Sequence, residues 1–130
     1  MARLLLITFL LLISSTVYAG WVKVGASDDG MTLYVDPDTI RRNGNLVKMW
    51  QLYDLTTIRR TGAGDSYLSS KNQHEFDCVE ERIRTLAFTW FSGNMGHGNA
   101  VFTVSDEQKW EPISPESAAQ TLWNIVCNKK

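Results

Sequence analysis

What this sequence lacks first is an excess of charge of either sign. Its 13 Lys and Arg stand against 14 Asp and Glu, a formal charge of −1 over 130 residues. Neutralising several phosphates takes a clustered basic excess, so a nucleic-acid binder is excluded. Three prolines and nine glycines are too few for a collagen-like or low-complexity chain. Two cysteines and two histidines, without ligand spacing around them, do not supply the three or four convergent ligands of a zinc site. Long apolar runs are missing as well, except at the start. There Leu4 to Ile13 is broken only by Thr8. That is about ten residues, against the roughly twenty needed to cross a bilayer.

This first segment has the layout of a secretory leader. Arg3 gives a positive start, the apolar run follows, and Ser14-Ser15-Thr16-Val17-Tyr18-Ala19 ends in a small residue with Val17 at −3. Residues 1–19 are therefore read as a signal peptide cleaved before Gly20-Trp21, and 20–130 as a single domain. No cysteine lies beside the cleavage site, so lipid attachment at a new N-terminal cysteine has no acceptor. The expected location is the periplasm or the outer surface. In an oxidising compartment Cys78 and Cys127, the only two cysteines, have one available pairing.

Most of the exported part reads as short strands. Trp21 to Gly25, Met31 to Val35, Ile40 to Arg42 and Asn45 to Leu55 are dense in residues that suit a pleated, half-buried surface. Asp36-Pro37-Asp38 is expected to break the second from the third, and Asn43-Gly44 is a hairpin signal. Arg59 to Gln73 reads as a long loop with a short strand at Ser66 to Ser69. Glu75 to Phe91 reads as one extended stretch, with a bulge or exposed portion near Glu80 to Arg84. Ala100 to Val104 and Lys109 to Pro112 are further extended pieces. Near the C-terminus the apolar period changes. Ser114 is the expected helix cap with Pro115 at the first position, and Ala118, Ala119, Leu122, Trp123, Ile125 and Val126 form the apolar stripe. The fold class is thus α+β: an antiparallel sheet of about five or six strands packed against a C-terminal helix, with one disulfide.

Chemistry is harder to find. Gly62-Ala63-Gly64-Asp65-Ser66 lacks the lysine and the strand–loop–helix context of a phosphate loop. Glu80 and Arg82, or Glu81 with a neighbouring strand, suit ion pairs on a solvated face better than a pair of catalytic carboxylates. The chain is read as non-enzymatic, with no metal or cofactor required; haem ligation by His97 or Met95, on the glycine-rich turn, is the rival. The five tryptophans are mostly expected in the core. Trp90-Phe91 is the pair that must split between two faces, because neighbouring strand residues alternate. Trp90, Phe91 and His97 are the candidate binding-surface residues.

From Ser66 to Cys127 the sequence resembles the bacterial surface-adhesin protein E-like family. The elements that carry the resemblance are Ser66-Tyr67-Leu68-Ser69-Ser70-Lys71, Glu75-Phe76-Asp77-Cys78, Arg82-Ile83-Arg84 and Phe91-Ser92-Gly93-Asn94-Met95-Gly96-His97-Gly98. Trp110-Glu111-Pro112-Ile113-Ser114-Pro115-Glu116-Ser117 and the closing Leu122-Trp123 and Val126-Cys127 complete them. Upstream, Tyr34-Val35-Asp36 and Gly44 to Trp50 also fit. The resemblance implies a small sheet domain with a helix tied by a Cys78–Cys127 bridge. It further implies adhesion at a Gram-negative outer membrane to host matrix and plasma proteins such as vitronectin and laminin, with a link to haem. A soluble periplasmic interaction protein, an inhibitor or assembly factor, is the alternative. Either way the expected partner is a protein.

Overall fold

A computed structural model describes residues 20–127; the leader assignment, residues 1–19, lies outside them. The strands are β1 (Val22–Ala26), β2 (Met31–Asn43), β3 (Leu46–Arg60), β4 (Ser66–Asp77), β5 (Arg82–Phe91), β6 (Ala100–Val104) and β7 (Glu111–Pro112), followed by helix α1 (Ala118–Cys127). From β1 to β6 each strand pairs antiparallel with the next, and β7 joins the other half of β5. The α+β architecture expected from the sequence is the one observed.

Several local expectations are corrected. Asp36-Pro37-Asp38 does not end a strand. It is a bulge inside β2, between the pairs Asp36↔Trp50 and Arg41↔Lys48. The Thr39 hydroxyl accepts the Trp50 amide at 3.0 Å and donates to the Asp36 carbonyl at 2.7 Å, replacing the lost ladder bonds. The hairpin turn is Gly44-Asn45, one residue beyond the Asn-Gly pair; Gly44 takes φ 63°, which only glycine adopts freely. The long loop shrinks to Thr61 through Asp65, because polar residues from Ser69 to Gln73 occupy a central strand with partners on both sides. Glu75 to Phe91 is two strands, not one. The Asp77 carboxylate accepts the amides of Val79 and Glu80 at 3.0 and 3.1 Å and turns the chain there. Helix α1 begins one turn later than expected, capped by Ser117, whose hydroxyl accepts the Gln120 amide at 3.1 Å.

The register gives the sheet two distinct faces. One carries the rows Val47–Phe76–Ile83 and Met49–His74–Thr85, and the longer rows Val35–Gln51–Asn72–Phe88–Val104 and Leu33–Tyr53–Ser70–Trp90–Phe102. Helix α1 lies on this face. It brings Leu122, Trp123 and Val126 against Leu33, Val35, Val47, Met49 and Phe76 to form the core. Ile125, expected in the apolar stripe, is 39% exposed. The Trp123 indole donates to the Asp77 carbonyl at 2.8 Å in the interior, and the Arg42 guanidinium donates to the Val126 carbonyl. Cys127, the last helical residue, is bridged to Cys78 with a Cα separation of 5.4 Å. The staple therefore joins the end of α1 to the turn between β4 and β5.

Candidate binding surface

The reverse face is built from charge and aromatic side chains. At one end, Glu75 lies opposite Arg84 and Asp77 opposite Arg82. Two nitrogens of Arg84 converge on one Glu75 oxygen at 2.6 and 2.9 Å, and Arg82 Nε meets Asp77 at 3.0 Å. Trp110, placed by β7, stacks over both guanidinium groups with its ring centre 4.5 Å from each. The ion pairs expected at Glu80 and Glu81 are thus made by Glu75 and Asp77. Burial pushes the Asp77 carboxyl up, but the Glu80 and Val79 amides and the Arg82 guanidinium outweigh it and hold the group below the usual carboxylate range. A carboxylate engaged in this way is poorly placed to exchange protons with a substrate.

Toward the middle of the same face, Trp21, Asp36, Thr39, Trp50 and Lys71 line an open cavity of about 200 Å³. The Lys71 ammonium sits 6.0 Å from the ring centres of Trp21 and of Phe91. Ser92 to Asn99 folds back over the remainder. Ser69 Oγ donates to the Gly93 carbonyl at 2.6 Å and accepts the Gly96 amide at 2.8 Å, while the Asp54 carboxylate takes the Met95 amide at 2.7 Å. A Cβ built on Gly96, at φ 74°, would meet the Lys71 stem at 3.1 Å and Leu52 at 3.8 Å. This loop explains why Leu52, on the face away from the helix, is fully buried.

The helix face is apolar beyond the helix too. Tyr67 stacks on Trp90 with ring centres 4.4 Å apart, Trp90 meets Phe102 at 5.0 Å, and Phe88 meets Trp90 and Phe102 at 5.6 and 5.9 Å. Phe102 is 44% exposed. The four rings lie at the β5–β6 side of the sheet. Of the five tryptophans, Trp123 alone belongs to the buried core. The other four are half-buried on the two faces, contrary to the expectation that most fill the interior.

The candidate residues do not converge. Trp90 lies on the helix face, Phe91 shares the reverse face with Ser69, and His97 is exposed on the loop that crosses that reverse face. His97 and Met95 lie two residues apart on that one turn, with His97 exposed and Met95 half-buried. Sequence reasoning missed Tyr67, Phe102 and the Trp21–Trp50–Lys71 group. The shared parity of Phe88 and Trp90 points to the first cluster, whereas Phe102 is brought in by strand pairing and Tyr67 by stacking on Trp90. His74 is a buried β4 residue opposite Met49. Burial lowers the His74 pKa to about 4. Among the described residues, no group of three His, Cys, Asp or Glu side chains is placed to hold a metal, and no helix is long and apolar enough to cross a membrane.

These features define a class: an antiparallel-sheet domain closed on part of one face by a disulfide-tethered C-terminal helix, with aromatic groups on both faces. The chain belongs to the surface-adhesin protein E family, whose sequence profile matches residues 21–128. Its fold is similar to that of Haemophilus influenzae protein E. The selenomethionine form superimposes with a TM-score of 0.65 at 12% identity over 86% of this chain and 88% of that one. Crystal form II gives 0.65 at 12% identity over 86% and 90%. Protein E of non-typeable Haemophilus influenzae gives 0.59 at 13% identity over 88% and 79%. At such identities the likeness is one of fold. A search of curated protein sequences finds no match.

Proposed function

We propose that this chain is an exported, non-enzymatic binding protein that attaches to host matrix or plasma proteins through the Tyr67–Phe88–Trp90–Phe102 surface. Membership of the surface-adhesin protein E family is the observation that carries the reading. The ring cluster supports it, since clustered aromatic side chains supply large contact area at low entropic cost and are enriched at protein interfaces. The engagement of Asp77 with Arg82 and the turn amides supports the non-enzymatic part.

The alternative is a periplasmic interaction protein, an inhibitor or assembly factor, which a disulfide-bridged exported domain also suits. The test is binding of the purified exported protein to immobilised vitronectin, laminin and envelope extract. Phe102→Ser, at an exposed position, is expected to weaken capture about tenfold or more, in line with loss of an interface anchor. Wild-type protein that binds none of these, or a variant that binds equally well, refutes the proposal. Protease accessibility on intact cells separates the two readings.

A further inference from the structure

We propose that the α-amino group released at Gly20 forms an ion pair with Asp36 and Asp38, so that removal of residues 1–19 completes the entry to β1. The inference rests on reading that segment as a cleaved leader. Gly20 lies beside both carboxylates. A Cβ built on it would stand 2.8 Å from Asp36 Oδ1 and 3.6 Å from Asp38 Oδ2. Both acids come from the β2 bulge, whose shape is set by the Thr39 hydroxyl on the Asp36 carbonyl and by the Asp38 amide on Asp36 Oδ1 at 3.3 Å. Neither makes an ion pair among the described residues.

Among the described residues, no neighbouring cation makes an ion pair with either acid. The Arg41 guanidinium donates to the carbonyls of Asp38 and Ile40, both at 2.9 Å. Lys71, across the cavity on β4, lies near the rings of Trp21 and Phe91. Two carboxylates on a shaped bulge therefore lie close to one backbone position. Before cleavage that position carries a neutral peptide amide; afterwards it carries a full positive charge. The ammonium is created where the negative field already stands. A larger side chain at the first mature position would have to push the Asp36 carboxylate aside.

Two consequences follow from the geometry. The pair can form only after the leader is removed, so its stabilisation is withheld from the unexported chain, which must stay unfolded to be threaded through a translocon. It also fixes the residue next in line, Trp21, as one wall of the Trp50–Lys71 cavity.

The experiment uses protein exported from its full-length gene. N-terminal sequencing is expected to return Gly20. Amine labelling against pH is expected to give an α-amino pKa about half to one unit above the ordinary range of about 7.7–8.0. In the double variant Asp36→Asn/Asp38→Asn that rise disappears. A mature product carrying one extra alanine ahead of Gly20 displaces the charge and also loses the rise. This second variant leaves both acids intact, so it decides the matter if the first does not fold. A Gly20 terminus with an unshifted amine in the wild type, or a rise that survives in the folded variants, overturns the ion pair and leaves the leader reading standing. Any other N-terminus overturns both.

Discussion

Replacing both bridging cysteines, Cys78→Ala with Cys127→Ala, is expected to destabilise the domain strongly. The bridge spans 49 positions of sequence. In the chain-entropy treatment a closed loop of about 50 residues restricts the unfolded ensemble by about 4 kcal/mol. The folded side offers little to offset that loss. Helix α1 has ten residues, too few to persist in water alone, so its stability comes from packing Leu122, Trp123 and Val126 on the sheet. Without the staple, the end of α1 is held mainly by the Trp123 indole on Asp77 and the Arg42 guanidinium on Val126. For a domain of this size, about 4 kcal/mol corresponds to a fall in Tm on the order of 15–20 °C. Urea unfolding followed by tryptophan fluorescence measures it, and the m-value should rise because the unlinked chain expands further. A loss below about 1 kcal/mol with an unchanged m-value would refute this account. It would mean that residual structure already constrains the unfolded chain.

Two further outcomes test the interior. His74 has a folded pKa of about 4 against an ordinary value of 6.5, so the unfolded chain binds the extra proton first as pH falls. The stabilisation is full above about pH 6.5 and is lost between there and about pH 4, roughly 3 kcal/mol in all; urea midpoints across that range should slope in the wild type and flatten in His74→Gln. Ser69→Ala removes a buried hydroxyl that joins Gly93 to Gly96. It should cost about 1–3 kcal/mol and speed hydrogen exchange of the Gly96 amide by at least tenfold, and unchanged exchange would show that Asp54 alone holds the loop.

The elements that were legible in the sequence are those whose signals are local. Alternation in Leu46 to Leu55, a turn near Gly44, an apolar stripe in the last turns and a single cysteine pairing all act over a few residues or by arithmetic. What was misread depends on partners distant in sequence. Ser69 to Gln73 looks like loop because its residues are polar, yet β3 and β5 pair with both of its edges, and Ser69 spends its hydroxyl on the loop above. The Asp36 bulge looks like a strand break because the compensating hydroxyl, Thr39, satisfies an amide 11 residues away. Ser114 and Ser117 are equally good caps by composition. The choice falls to Ser117 because Glu116 adopts φ 61°, outside the helical region, which stops the helix from starting earlier. The candidate surface fared likewise: adjacency split Trp90 from Phe91 correctly, whereas pairing alone brings Phe102 beside Trp90.

Dimensions explain why an aromatic surface is left over at all. A ten-residue helix is about 15 Å long. Six strands at a spacing of about 4.8 Å make a sheet roughly 24 Å across, and its longest strand extends to nearly 50 Å. One helix cannot cover that face. Folding does not require that the uncovered part be apolar, since the same two strands place Thr89 opposite Thr103 on the reverse side, with hydroxyls 3.3 Å apart. Threonine on the helix side would serve the ladder as well and would expose less apolar area. The chain instead puts Phe88, Trp90 and Phe102 there and stacks Tyr67 on Trp90. Rings retained where the ladder would accept hydroxyls are better accounted for by a partner than by the fold. The partner should therefore shield Phe102, the most exposed ring of the four, when it binds.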